Sequence, residues 1–275
     1  MEPFYINAPS GNIFALYHRP GDGADITRNI LFIPPFGEEL NRSRHVINHQ
    51  ARSFAKAGYA VLILDLYGTG DSTGTFGEAT VDIWQKDIIA AINWLKQTSN
   101  APPIPWAMRS GALLTADLVQ QYPDITDQMI LWSPVQNGKK FIAQYMRIKL
   151  AAEMTGRSEK KASSMKDLWA SLEGGENLEI AGYTVSPKLA KGFAGLSLAA
   201  IKIPQTISVK WLEISSASPA RLSPVSQNII NIWKNHGTDV TEAAVNDVLF
   251  WTLQEPEWAN HYCDKTLNLL EKENA

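Results

Sequence analysis

Trp106-Ala107-Met108-Arg109-Ser110-Gly111-Ala112-Leu113-Leu114 is an apolar run that enters a turn flanked by small residues and leaves as a helical run. The spacing matches a nucleophile elbow, G-x-S-x-G, with Ala107 replacing the first glycine and Arg109 replacing the serine. Two registers compete. With Ser110 as the nucleophile, the flanking positions are Met108 and Ala112, and a methionine crowds a turn that packs strand against helix. With Arg109 at the tip, the flanks are Ala107 and Gly111, both small. The second register fits better, and it predicts a positive φ at Arg109, unusual for so long a side chain.

Outward from this turn the chain alternates. Before it, residues 4–7 and 13–18 read as a hairpin around Pro9-Ser10-Gly11. Residues 29–33 and 59–64 are continuous apolar runs, expected as strands buried on both faces. Residues 45–58 and 81–97 carry helical spacing. The elbow strand is expected over 103–108 and its helix over 111–121, followed by a fourth buried strand at 128–132. From about 138 to 200 the alternation breaks into interrupted helical sequence, too long for a loop. It resumes with a strand at 207–214, a helix at 223–236, a strand at 239–244 and a closing helix at 258–273. The expected architecture is one α/β domain over residues 1–275. Its mostly parallel sheet has helices on both faces and a helical cap insertion at about 138–200.

Composition narrows the function classes. A length of 275 residues suits one large domain or a core with an insertion. A formal charge of −3 gives no footprint for nucleic acid. No stretch reaches the roughly 20 apolar residues that span a bilayer. The N-terminal sequence lacks the basic and apolar regions of a signal peptide. Cys263 is the chain's one cysteine, so no intrachain disulfide forms. A reducing, cytoplasmic setting is expected, with Cys263 as a packing residue. No cofactor or metal is expected. The sequence leaves the oligomeric state open.

Several motifs carry a family resemblance. Pro34-Pro35-Phe36-Gly37-Glu38-Glu39-Leu40-Asn41-Arg42-Ser43-Arg44 and Asp65-Leu66-Tyr67-Gly68-Thr69-Gly70-Asp71-Ser72 each end a strand. They resemble the α/β-hydrolase superfamily and, within it, the second type of exosortase A system-associated hydrolases. Leu131-Trp132-Ser133-Pro134-Val135, Gly138-Lys139-Lys140-Phe141, Arg147 and Gly182-Tyr183 with Ser186-Pro187 extend the likeness along nearly the whole chain. The resemblance implies a hydrolase fold and a bacterial setting that pairs an exosortase with extracellular polysaccharide genes. It says little of substrate.

The superfamily's triad runs serine, acid, histidine along the chain. Here Arg109 occupies the elbow, with Ser110 as a displaced candidate nucleophile. After the strand at 207–214 comes Ser215-Ser216-Ala217, without a carboxylate; Glu213 lies inside the strand, as an edge or pocket-lining residue. After the last strand comes Val245-Asn246-Asp247, without a histidine. All three positions read as vacant. His45 and His49 share a helical face but have no evident third metal ligand.

The loop Phe36-Gly37-Glu38-Glu39 stands where a backbone N–H would stabilise an oxyanion. Two acids there oppose such a charge but suit Arg109, so Glu38 or Glu39 is expected to pair with it, against the alternative of two solvated loop residues. The catalytic candidates are therefore Arg109, Ser110, Glu38 and Glu39, and the binding set is Phe36, Gly37, Arg109 and Trp251. Asp71 and Ser72 read as turn-formers.

The insertion is basic between Lys139 and Lys161, with Arg147, Lys149, Arg157 and Lys160 against Glu153 and Glu159. Trp169, Tyr183, Phe193, Phe250 and Trp251 are candidates for an aromatic pocket or for plain core. Three readings follow. The first is a small, anionic, acyl or glycan-type ligand held without serine-hydrolase chemistry. The alternative is hydrolysis of an ester or thioester by a non-standard site. The third is a scaffolding protein with no small-molecule site.

Overall fold

Eight strands form the central sheet in the order β1-β2-β4-β3-β5-β6-β9-β10, in a computed structural model that describes residues 1–21, 25–99, 101–155 and 163–271. The hairpin of β1 (Glu2–Ala8) and β2 (Gly11–His18) pairs antiparallel, and β2 joins β4 (Tyr59–Leu64) antiparallel as well. From β4 onward every pairing is parallel, through β3 (Arg28–Ile33), β5 (Ile104–Met108), β6 (Gln128–Trp132), β9 (Ser208–Ile214) and β10 (Val240–Val245).

Strand alternation splits the interior into two cores. Leu31, Ile33, Ala107 and Leu131 point to one face. There they meet α2 (Val81–Leu95), α3 (Gly111–Gln121) and α7 (Pro224–Asn235) through Trp84, Leu113, Ile229 and Trp233. Ile30, Phe32, Trp106, Met108, Ile130 and Trp132 point the other way, onto α1 (Glu38–Lys56) and α8 (Asn260–Glu271). A sheet buried on both faces needs strands apolar at every position, which is why β3 to β6 read as continuous runs.

Three local expectations change. The first helix begins at Glu38, not near residue 45. Gly37 takes φ +57, the turn into the helix, and Glu38 and Glu39 then lie in its first turn, where the helix dipole favours acids. Polar Asn41, Arg42 and Arg44 hid this turn, because only Leu40 and Ser43 of it are buried. Between β6 and β9 lie α4 (Gly138–Thr155), α5 (Met165–Glu173) and α6 (Pro187–Ala194), together with an unexpected hairpin. Its strands are β7 (Leu178–Ile180) and β8 (Tyr183–Val185), so the interrupted helical sequence expected over 138–200 includes a hairpin with Gly182 in its turn. Finally, β9 lies between β6 and β10 and is no edge strand. Arg157, Glu159, Lys160 and Lys161 of the basic stretch lie outside the described residues. Among the described residues, no helix is long and apolar enough to cross a membrane.

Candidate functional site

The order β4-β3-β5-β6 reverses direction between β3 and β5, and the crevice at such a switch point is where parallel sheets gather ligands. The chain leaving β3 and the turn leaving β5 meet there. Arg109 is the tip of that turn, at φ +52. Gly111 permits the close approach: a Cβ on it would lie 2.6 Å from the Ile33 carbonyl and 2.7 Å from that of Pro34. The backbone of Arg109 is fixed from β6, since its N–H donates to Trp132 O at 2.9 Å and its carbonyl accepts from Val135 N at 3.0 Å.

The guanidinium is held on three sides. Nε and Nη2 donate to Glu39 Oε1 at 3.3 and 3.2 Å, and Nη1 donates to Ser133 O at 3.0 Å. The Trp251 ring covers it, with its centroid 5.0 Å from Cζ. The pair is only partly exposed, the side chains keeping 20% and 23% of their surface, so its attraction is less screened than at the surface. Burial nevertheless pushes the Glu39 carboxyl above the ordinary carboxylate range, with Arg109 opposing the shift. Glu39 Oε2 is buried and accepts no hydrogen bond from any described residue.

Glu38 and Glu39 part company because successive helical residues lie about 100° apart. Glu38 turns to the β7–β8 hairpin, where Tyr183 donates to its Oε2 at 3.1 Å and Asn41 Nδ2 does the same at 3.1 Å. Arg42 lies 3.8 Å from its other oxygen. Burial and the Glu38 contact push the Tyr183 hydroxyl up to about 12.

Ser110 faces inward. It is 1% exposed, and its Oγ accepts the Phe36 N–H at 2.8 Å. Phe36 itself is packed edge-on among Phe76, Phe141, Tyr145 and Phe193, with centroids 5.0–5.5 Å away. Gly37 stands behind that wall, where a Cβ would come within 3.1 Å of Tyr145 Oη.

A cavity of about 290 Å³ opens on Arg109, lined by Phe36, Glu38, Glu39, Arg42, Tyr145 and Trp251, among others. That is near the lower end for small-molecule pockets. A neighbouring cavity of about 260 Å³ shares Arg109, Phe141 and Gln144 and adds Lys140. Sequence reasoning missed Arg42, Phe141, Gln144, Tyr145 and the Ser133 carbonyl. The residues on α4 carried no usable signal, because nothing in the insertion's spacing tells which helix face meets the crevice.

The remaining candidates go elsewhere. Glu213 is neither at an edge nor on the Arg109 cavity. It accepts from Trp211 Nε1 at 3.0 Å, from Ser223 N at 3.1 Å and from Ser226 Oγ, fixing the start of α7. Past β10, Asp247 accepts from Tyr262 N at 3.0 Å and Val248 N at 2.8 Å. His45 bonds the Glu257 carbonyl, and both it and His49 pack on Trp258. Among the described residues, no group of His, Cys, Asp and Glu is placed to hold a metal. Phe193 and Phe250 are core, Tyr183 binds Glu38, and Trp169 flanks a surface groove with Lys139 and Lys191. Asp71 N and Ser72 Oγ bond Asp65, as turn-formers should. Cys263 is buried, and burial lifts its thiol to about 12.

A mostly parallel sheet flanked by helices, with a strand–turn–helix elbow at its switch point, defines an α/β-hydrolase fold. The chain belongs to the hydrolase family described as serine aminopeptidase, S33, whose pattern matches residues 27–190. Solved structures of similar architecture include Est1E from Butyrivibrio proteoclasticus bound to ferulic acid, 12% identical over 98% of each chain with a TM-score of 0.66. Another is alpha/beta hydrolase domain-containing protein 10 from mouse, 16% identical over 100% of each chain with a TM-score of 0.58. At such identities the likeness is one of fold. An uncharacterized protein of Rickettsia prowazekii is 27% identical over 143 residues, which is 51% of this chain and 59% of that protein. The chain thus spans less than two thirds of the curated relative it matches.

Proposed function

We propose that the chain uses its hydrolase fold to bind a small molecule at the Arg109 cavity, without serine-hydrolase chemistry. One observation carries this. Ser110 Oγ is buried and occupied by the Phe36 N–H, the same backbone donor that an acyl-transfer site would present to an oxyanion. The hydroxyl is no nucleophile there, and the donor is spent. With Arg109 at the tip, no carboxylate in residues 215–222 behind β9 and no histidine in residues 246–259 behind β10, the triad is vacant; His261 lies further on, exposed on α8. Arg109 and Trp251 then receive the ligand, Glu39 orients Arg109, Phe36 forms a wall, and Gly37 sets the entry into α1. Residues 138–200 act as the cap.

Strain supports the assignment. Arg109, Ser133 and Ala181 are the described non-glycine residues with positive φ, and all three border this cavity or hold Arg109. Such outliers gather where binding needs a fixed geometry. On the sequence resemblance we place the ligand, acyl or glycan in type, in the extracellular-polysaccharide setting of an exosortase-bearing bacterium; the single cysteine supports a reducing, cytoplasmic location.

A second reading rests on the raised proton affinity of Glu39. Glu39 would take a proton from water, the hydroxide would attack an ester or thioester carbonyl with Arg109 steadying the oxyanion, and the collapsing intermediate would expel the alkoxide or thiolate, which takes the proton back from Glu39. A panel of p-nitrophenyl esters and acyl thioesters separates the two. Binding alone predicts no turnover above buffer. Turnover abolished by Glu39→Gln but kept in Ser110→Ala would establish the second reading instead.

A further inference from the structure

The cap helix α4 packs one side inward and leaves another bare. Phe141, Ile142, Tyr145 and Met146 are buried. Lys140, Gln144, Arg147, Ile148, Ala151 and Met154 are all exposed. At about 100° per residue these six fall within an arc of about 120°, so they form a single stripe roughly 21 Å long.

The stripe has the composition of an interfacial helix. Ile148 is 47% exposed and Met154 78%, and they stand about 9 Å apart along the axis, a pair rather than scattered apolar residues. Lys140 and Arg147 have no ion pair among the described residues. Glu153, the one acid of α4, points off the stripe, where it meets Lys149 at 3.4 Å and accepts the Ser163 N–H at 2.9 Å. The stripe is thus cationic and apolar on a chain whose formal charge is −3. It also borders an opening. Ile148 lines the Arg109 cavity, and Lys140 lines the neighbouring cavity together with exposed Val225.

We infer that this stripe docks the protein on an anionic bilayer surface, with Lys140 and Arg147 among the headgroup phosphates and Ile148 and Met154 at the headgroup–acyl boundary. Charge sign selects the partner: both cations lack a counter-ion, and no acid stands on the stripe to repel a negative leaflet. The helix is too polar to cross the membrane and lies on it. Because Ile148 also lines the Arg109 cavity, docking brings that opening to the lipid. The inference does not depend on what Arg109 binds.

Vesicle flotation of the whole chain tests it. The wild type is expected to float with vesicles of phosphatidylcholine and phosphatidylglycerol in equal parts, and to stay behind with phosphatidylcholine alone. Lys140→Gln with Arg147→Gln should weaken binding at least about tenfold. Raised salt should weaken the wild type in the same direction. Ile148→Ser with Met154→Ser should weaken it even at low salt. Arg52→Gln with Lys56→Gln removes the same charge from the far end of α1, about 21 Å along the helix from Glu38, and should change binding by less than about twofold. No flotation with the anionic vesicles overturns the inference, as does equal flotation with both kinds or an equal loss in the two charge pairs. So does a wild-type dimer by light scattering that the serine pair dissociates, because a second copy then covers the stripe. Should Ile148→Ser unfold the chain by circular dichroism, Met154→Ser alone carries that arm.

Discussion

Glu213 and Glu39 are both acids near strand ends at the carboxyl edge of the sheet, and they differ in what they have left to give. Glu213 is saturated: it takes hydrogen bonds from Trp211, Ser223 and Ser226 and ties β9 to the start of α7. Glu39 gives one oxygen to Arg109, and its other oxygen is buried without a described donor, on a side chain that lines a cavity. Glu213 is scaffold, whereas Glu39 orients the guanidinium that borders that cavity. Asp87 is a third case. Its Oδ1 is buried without a described partner as well, but Asp87 does not line the Arg109 cavity and anchors a loop through Tyr67 N, at 2.8 Å.

The largest expected effect is at the saturated site. Glu213→Ala strands the Trp211 indole N–H and the Ser223 N–H, and should cost about 4 kcal/mol in urea unfolding, summed over charge-assisted bonds. A loss below about 1 kcal/mol would break the contrast.

Asp87 comes next. Burial pushes its carboxyl up to about 6, from an ordinary 3.8. The folded state then holds this proton over a pH range where the unfolded chain has released it. Stability contributed by Asp87 is complete below pH 3.8 and is lost as pH rises through about 6. The loss amounts to about 3 kcal/mol at 1.36 kcal/mol per unit. Asp87→Asn should flatten that slope in denaturation curves taken across the window.

Arg109→Ala leaves Glu39 buried without its cation and should destabilise by about 2 kcal/mol, below the cost for a fully buried pair because both groups keep some exposure. Arg109→Gly should lose about 1 kcal/mol less, because glycine relieves the positive φ. Equal melting points for the two variants would show that the turn is not strained. The smallest effect belongs to Glu39→Gln, which keeps an acceptor for Arg109 and should change stability by under about 1 kcal/mol.

The sheet was legible because buried parallel strands announce themselves as apolar runs, and the elbow because its turn tolerates only small flanks. The start of α1 was not. Its first turn is polar outward and buries little, so its periodicity becomes visible only near Val46. That one misplacement also hid which glutamate meets Arg109, since the answer depends on the 100° step between Glu38 and Glu39 in a helix rather than on any property of a loop. Trp251 and Phe250 are adjacent in sequence and both join the α1–α8 core, yet it is Trp251 that also covers Arg109. Spacing alone does not sort two neighbours in a short irregular turn.

The central claim is that the elbow no longer carries a nucleophile. Intact-protein mass spectrometry after exposure to a fluorophosphonate tests it most directly. The wild-type mass should remain that of the unmodified chain. A stoichiometric adduct that disappears in Ser110→Ala would contradict the account, because it would put a reactive serine where the structure places a buried hydroxyl bonded to Phe36.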